Sequence, residues 1–250
     1  MINLRAQVWN TGFDDTFWDW ALREFDGARK WTPGSTGTTL HYGALGMPEV
    51  PERSVALLWE LYPEMKRWVG TKCDQEIAAL HLAAEKCARR TVSSSLVVPE
   101  YVRYGPVDVL PIGVDTDLFK PRDKTRMRIK HNLTYERLGF WCGTRHPMKG
   151  RHLLHQYRVE HPDAQILEVF KGRYSQPQFA EVMSACDYIV VTNRLRPWSM
   201  VEWEAMATGL DLVDIGDRER EFTDWSRDKV FEVGWDRLSA KKTWMEYLAA

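Results

Sequence analysis

From Ile2 to Ile215, short runs of β-forming residues alternate with stretches of helical spacing, and a parallel α/β arrangement is the fold that accommodates this order. Residues 2–9 read as a strand, and 14–25 as an amphipathic helix with Phe17, Trp18, Ala21, Leu22 and Phe25 on one side. Residues 27–46, rich in Gly, Thr and Ser, read as a long loop interrupted by a strand at Thr38–Tyr42. Further strands are expected at 54–58, 90–94, 107–110, 139–142, 164–170, 188–191 and 212–215. Helices are expected at 75–89, 99–104, 151–161, 177–186, 200–208 and 239–248.

The chain has 250 residues, which at about 150 per domain allows one large domain or two small ones. The sequence character changes across 105–121, and there the lobe boundary is expected. The resulting division is a first Rossmann-like lobe over 1–105, a second over 106–238, and a closing helix at 239–250 that returns to the first lobe. Composition excludes other classes. No apolar run approaches the roughly 18–20 residues of a membrane helix, so no membrane insertion is expected. Cys73, Cys87, Cys142 and Cys186 are scattered without ligand spacing, which suits reduced thiols in the cytoplasm better than a disulfide frame or zinc site. With a net charge of −1 there is no global field for a polyanion. The 12 tryptophans read as core packing or as an aromatic platform for a sugar or base, with Trp198 and Trp203 the platform candidates.

Three segments of the second half can carry chemistry. GTRHPMKG (143–150) lies between an expected strand and helix, so its amides, the helix dipole, Arg145 and Lys149 together suit a diphosphate. A solvated basic loop is the competing reading. In RPWSMVEWEAMATG (196–209) the helix carries Glu204, whose carboxylate can accept both hydroxyls of a ribose diol. The amides at Ser199, Met200 and Val201 can hold phosphate or sugar oxygens. Here the competing reading is a helix with ordinary solvated acids. LPIGVDTDLFKP (110–121) by itself is a strand, a turn and a linker.

In this order and spacing, the three segments resemble the nucleotide-sugar lobe of the retaining GT-B glycosyltransferases of the large family four. FAEVMSACDYIVVT (179–192) is similar to that family's helix–strand pair, and EAMATG (204–209) to the second half of its Glu-x7-Glu motif. The resemblance spans about 107–215 and is that of a compact member of viral type. It implies two Rossmann-like lobes with parallel sheets and a small N-terminal lobe. The implied reaction transfers a hexose from a nucleotide-diphosphate sugar, UDP-linked sooner than GDP-linked, to a hydroxyl with retention. No metal or cofactor is implied. Lys149 would meet the diphosphate, Glu204 the ribose, and the amides of 199–201 sugar or phosphate. Tyr174 would lie beside the base, and Gly12 and Gly143 in the turns near the phosphates.

The pattern departs from the family at two positions. The first Glu of the motif is replaced by Arg196, which suits a negatively charged sugar or marks a lost contact, and the usual loop arginine is displaced by one place to Arg145. Glu60, at the end of a first-lobe strand, is a candidate to orient or deprotonate the acceptor, or else a surface partner of Lys66 or Arg67. His81 reads as structural, and His41 is open. The small first lobe implies a large or exposed acceptor: a protein, a polysaccharide or DNA. The basic run Lys120, Arg122, Lys124, Arg126, Arg128 and Lys130 motivates the DNA alternative, glycosylation of a hydroxymethylated pyrimidine. A second alternative is a non-catalytic nucleotide-sugar-binding module.

Overall fold

The computed structural model describes residues 1–6, 21, 25, 27–30, 32, 35–42, 53–58, 66, 70–144, 149–170, 172–194, 199–216 and 223–250. Gly12, Glu60, Arg145, Arg196 and Trp198 lie outside these residues, as does most of the helix expected at 14–25. The chain forms two compact units, Met1–Gly113 with Leu238–Ala250, and Val114–Arg237.

The first unit is built on six parallel strands in the order β2-β1-β3-β4-β5-β6. They are β1 (Ile2–Ala6), β2 (Ala28–Lys30), β3 (Thr38–Tyr42), β4 (Ser54–Leu57), β5 (Arg89–Val92) and β6 (Asp108–Val109). Helix α1 (Asp74–Lys86) buries Leu80, Ala83 and Ala84 against Ala56, Val92 and Tyr101, the last from the short helix α2 (Val98–Tyr101). β6 pairs with β5, so this strand belongs to the first sheet and the unit extends past the expected boundary at 105/106. His81 accounts for itself structurally. Its Nδ1 meets the Tyr104 hydroxyl at 3.1 Å and Arg103 at 3.2 Å, and Nε2 lies 3.3 Å from Glu100. His41 is buried within β3.

The second unit carries α3 (Lys124–Lys130), β7 (Leu138–Gly143), α4 (Arg151–Glu160), β8 (Gln165–Phe170), α5 (Gln176–Ser184), β9 (Tyr188–Val191), α6 (Met200–Thr208), β10 (Asp211–Asp214) and α7 (Arg227–Glu232). Its four strands are parallel in the order β10-β9-β7-β8. The chain leaves β7 for β8 on one side and then crosses to β9 on the other, and right-handed crossovers of opposite direction put their helices on opposite faces. Packing agrees: Leu154 of α4 joins Trp141, Tyr188 and Val190, while Phe179 of α5 meets Phe140 edge-on at 5.5 Å. Phe119 of the 110–121 segment continues that second face, 6.2 Å from Phe179.

The closing helix α8 (Arg237–Ala249) packs with the first unit, where Trp244 is fully buried, lies 6.2 Å from Phe25 and donates from Nε1 to the Pro111 carbonyl at 2.7 Å. Among the described residues, no helix is long and apolar enough to cross a membrane. Cys87, Cys142 and Cys186 are free thiols.

Two aromatic expectations separate here. Trp203 is no surface platform: it is 1% exposed and lies flat on Trp235, centroids 4.1 Å apart and planes 9° from parallel. The sequence resolves neither alternative because a Trp on a buried helix and one on an exposed helix have the same spacing. Removing so large a buried side chain leaves a cavity, so Trp203→Ala is expected to lower unfolding stability by about 3–5 kcal/mol in urea titration. A loss below about 1 kcal/mol would place the stack outside the core.

Candidate functional site

In an open parallel sheet, the crevice beyond the strand C-termini lies where successive crossovers diverge. In the second unit that point falls between β7 and β9. The loop after β7 and the start of α6 meet there. A small cavity of about 30 Å³ is lined from the strand ends by Cys142 and 191–193, from the loop by Lys149, and from the helix by Ser199, Val201 and Glu202. A larger hollow of about 430 Å³ opens elsewhere on the unit beside Tyr157, His161 and Tyr188, and no residue expected to act lines it.

The loop is held by one hydroxyl. Trp141 Nε1 donates to Thr192 Oγ1 at 2.8 Å, and Thr192 Oγ1 donates to the Lys149 carbonyl at 2.5 Å. Beside it, Gly150 has φ +64°, and a Cβ there would sit 2.1 Å from the Thr192 carbonyl oxygen, so this position requires glycine. Gly143 is fixed for another reason: a Cβ would come within 2.7 Å of the Trp141 ring.

α6 is buried on nearly every side, which carries two carboxyl groups into the interior. Ser199 caps the helix, and its amide (2.8 Å) and hydroxyl (2.6 Å) both donate to Glu202 Oε2. The Ser199 amide is therefore committed to the chain's own carboxylate. The amides of Met200 and Val201 precede the first intrahelical acceptor and point out of the helix. Glu202 went unread in the sequence, although Ser-x-x-Glu before an apolar run is the signature of this cap.

Glu204 is 8% exposed, and burial raises its carboxyl pKa to about 8. The Cys142 thiol is pushed up to about 12 by burial and by Glu204, with Lys149 acting against them, which puts all three groups in one electrostatic neighbourhood. At that value Cys142 stays protonated near neutrality and is no nucleophile. Tyr174 stands apart, in the segment between β8 and α5 with the Arg173 guanidinium 5.4 Å from its ring, and it does not line the cavity.

The basic run is mostly occupied. Arg128 and Lys124 meet Asp187 at 2.5 and 3.1 Å, Lys130 meets Glu181 at 2.7 Å, and Arg122 donates to the carbonyls of Leu118 and Ala180. Asp187 also accepts from the Leu138 amide at 2.8 Å, so α3 sits at the N-terminal edge of the sheet, opposite the cavity. Among the described residues, no group of three or more His, Cys, Asp or Glu is arranged to hold a metal ion.

No family model matches the sequence, and no curated protein does. Solved structures do match. HepE of Anabaena, crystallised in complex with UDP, is 15% identical with a TM-score of 0.65 over 99% of each chain. WaaG, a glycosyltransferase of lipopolysaccharide biosynthesis, is 12% identical with a TM-score of 0.60 over 99% of this chain and 94% of its own. Sucrose-phosphate synthase from Thermosynechococcus elongatus is 15% identical with a TM-score of 0.54 over 85% of this chain and 68% of its own. The fold is therefore α/β of the GT-B type.

The buried Glu204 makes the unit pH-sensitive. Unfolded glutamate ionises near about 4.3, so the fold disfavours the charged form. The stability this contributes at low pH is lost as pH rises from about 4.3 through about 8. Glu204→Gln is expected to melt with wild type near about pH 5 and above it near about pH 8.5. Parallel melting curves across that range would contradict this account.

Proposed function

We propose that this chain is a glycosyltransferase that moves a hexosyl group from a UDP-sugar to a hydroxyl acceptor with retention of configuration. The convergence of Lys149, the outward amides of Met200 and Val201, and the buried carboxyl of Glu204 at the β7/β9 edge carries this reading. A diphosphate is met by cations and helix dipole, a ribose diol by the oxygens of a carboxyl group, and both lie on one edge. The UDP held by HepE, a chain of the same fold, supports the choice of nucleotide.

The second unit takes the donor and the first the acceptor. Lys149, Arg145 and the helix N-terminus stabilise the departing diphosphate as the anomeric C–O bond breaks, so this reading assigns no role to a resident metal or cofactor. The acceptor oxygen bonds to the same face of that carbon, and its proton leaves with a diphosphate oxygen or through Glu60. Glu204 accepts the ribose hydroxyls and Tyr174 lies on the base side. This reading assigns Gly12 and Gly143 to the approach of backbone to the phosphates, and Arg196 to contact with the transferred sugar. The acceptor is large or exposed, a protein or polysaccharide in preference to DNA, because the basic run that motivated DNA lies at the opposite edge in contacts of its own.

A panel of UDP- and GDP-sugars, followed by mass spectrometry for hydrolysis and transfer and by NMR for the product anomer, tests the reading. Lys149→Ala should lower kcat/KM about 10²–10³-fold, the scale of a lost transition-state contact. Glu204→Ala should weaken UDP binding about tenfold or more. Unchanged turnover in both variants overturns these roles, an inverted product overturns retention, and UDP binding with no turnover on any acceptor leaves a binding module.

A further inference from the structure

Both ends of the 143–150 loop are referred to one indole. At its start, the backbone of Gly143 packs so closely on the Trp141 ring that a Cβ would come within 2.7 Å of it. At its end, the Lys149 carbonyl accepts from Thr192 Oγ1, which in turn accepts from Trp141 Nε1. Trp141 is 1% exposed and Thr192 3%, so the hydroxyl is a group of the interior. The bonds also have a direction. A threonine hydroxyl holds a single proton, and with one lone pair taken by the indole, that proton goes to the Lys149 carbonyl. Thr192 meets the next residue as well, since its own carbonyl oxygen lies 2.1 Å from where a Cβ on Gly150 would come.

Resting on the nucleotide-sugar reading, we propose that Thr192 is a positioning residue for the donor diphosphate: backed by Trp141, it fixes the backbone of Lys149 so that the ammonium meets the second phosphate. Satisfying a buried indole requires an acceptor and nothing more, and a backbone carbonyl would serve. A hydroxyl that also donates to Lys149 and lies against Gly150 does something further: it sets the end of the loop relative to both β7 and β9. The lysine ammonium is a point charge on a flexible four-carbon stem, so its placement on a phosphate depends on where its backbone is held. A misplacement of about 1 Å is enough to cost about a hundredfold at a reacting centre. Thr192 therefore acts through Lys149, beside which it lines the cavity.

Calorimetric titration of the full chain with UDP and with UMP isolates the contribution of the second phosphate. Wild type should bind UDP at least about tenfold more tightly than UMP. Thr192→Val, which keeps the shape and removes the hydroxyl, should bring that ratio below about threefold while UMP affinity stays within about twofold. Thr192→Ser should keep the wild-type ratio. On a Lys149→Ala background, Thr192→Val should change the ratio no further. If the stranded indole N–H unfolds Thr192→Val, the double variant Trp141→Phe with Thr192→Val, which carries no such donor, is titrated in its place with thermal melting as the check. A hydroxyl that only holds the fold would weaken UDP and UMP alike, or lower the melting temperature with the ratio intact, and either result overturns the proposal. So does a further loss on the Lys149→Ala background, or equal binding of UDP and UMP by wild type. If wild type binds neither nucleotide, the nucleotide-sugar reading itself falls, whereas an unchanged ratio in the Thr192 variants removes only this inference.

Discussion

One hydroxyl group joins the elements from which the candidate site is made. Thr192 follows β9 directly, accepts from the Trp141 ring of β7 and donates to the carbonyl of Lys149, so strand, neighbouring strand and loop converge on one oxygen. Both partners are specific to geometry. The indole needs an acceptor because it is buried, and the Lys149 carbonyl needs a donor because Gly150 turns the chain left-handed immediately afterwards. The backbone of Lys149 is thereby set at the strand ends, where the residue lines the cavity.

The parallel order of the second sheet explains why this oxygen sits where it does. Successive crossovers in opposite directions leave the ends of β7 and β9 without a chain passing over them, and α6, entering after β9, turns its N-terminus toward that gap. Burial of α6 then does the electrostatic work. An exposed helix would solvate Glu202 and Glu204, whereas here one is tied to the helix cap and the other keeps its proton well above the ordinary carboxylate range.

Much of this was legible in the sequence, for identifiable reasons. Tyr188–Val191 and Met200–Thr208 match their expected bounds because apolar runs and helical spacing there are uninterrupted. Thr38–Tyr42 was legible as the β-branched island in a Gly-rich stretch. β2 was not, since Ala28, Arg29 and Lys30 carry no strand pattern and pair at a sheet edge with exposed side chains. The short strand β6 was visible but was placed in the wrong lobe, because two residues say nothing about which neighbour they will pair with. In the site, spacing put forward Lys149, which lines the cavity, and Glu204, which is buried beside it. Thr192, Cys142 and the commitment of Glu202 to Ser199 were not legible from it, since they depend on which strand end lies beside which loop.

The basic run and the acidic helix differ from what their charges suggest in opposite directions, and the same rule accounts for both. Sequence reports charge but not solvation. Arg122, Lys124, Arg128 and Lys130 look like a surface for polyanions, yet they are consumed by Asp187, Glu181 and backbone carbonyls that fasten α3 to the sheet edge. Glu202 and Glu204 look like ordinary helix acids, yet they are the groups taken out of water. Function follows desolvated charge more closely than it follows the number of charges, because only a group removed from solvent must find its partner in the fold or in a ligand. By that criterion the buried acids of α6 mark the candidate site, and the paired cations of α3 belong to the scaffold.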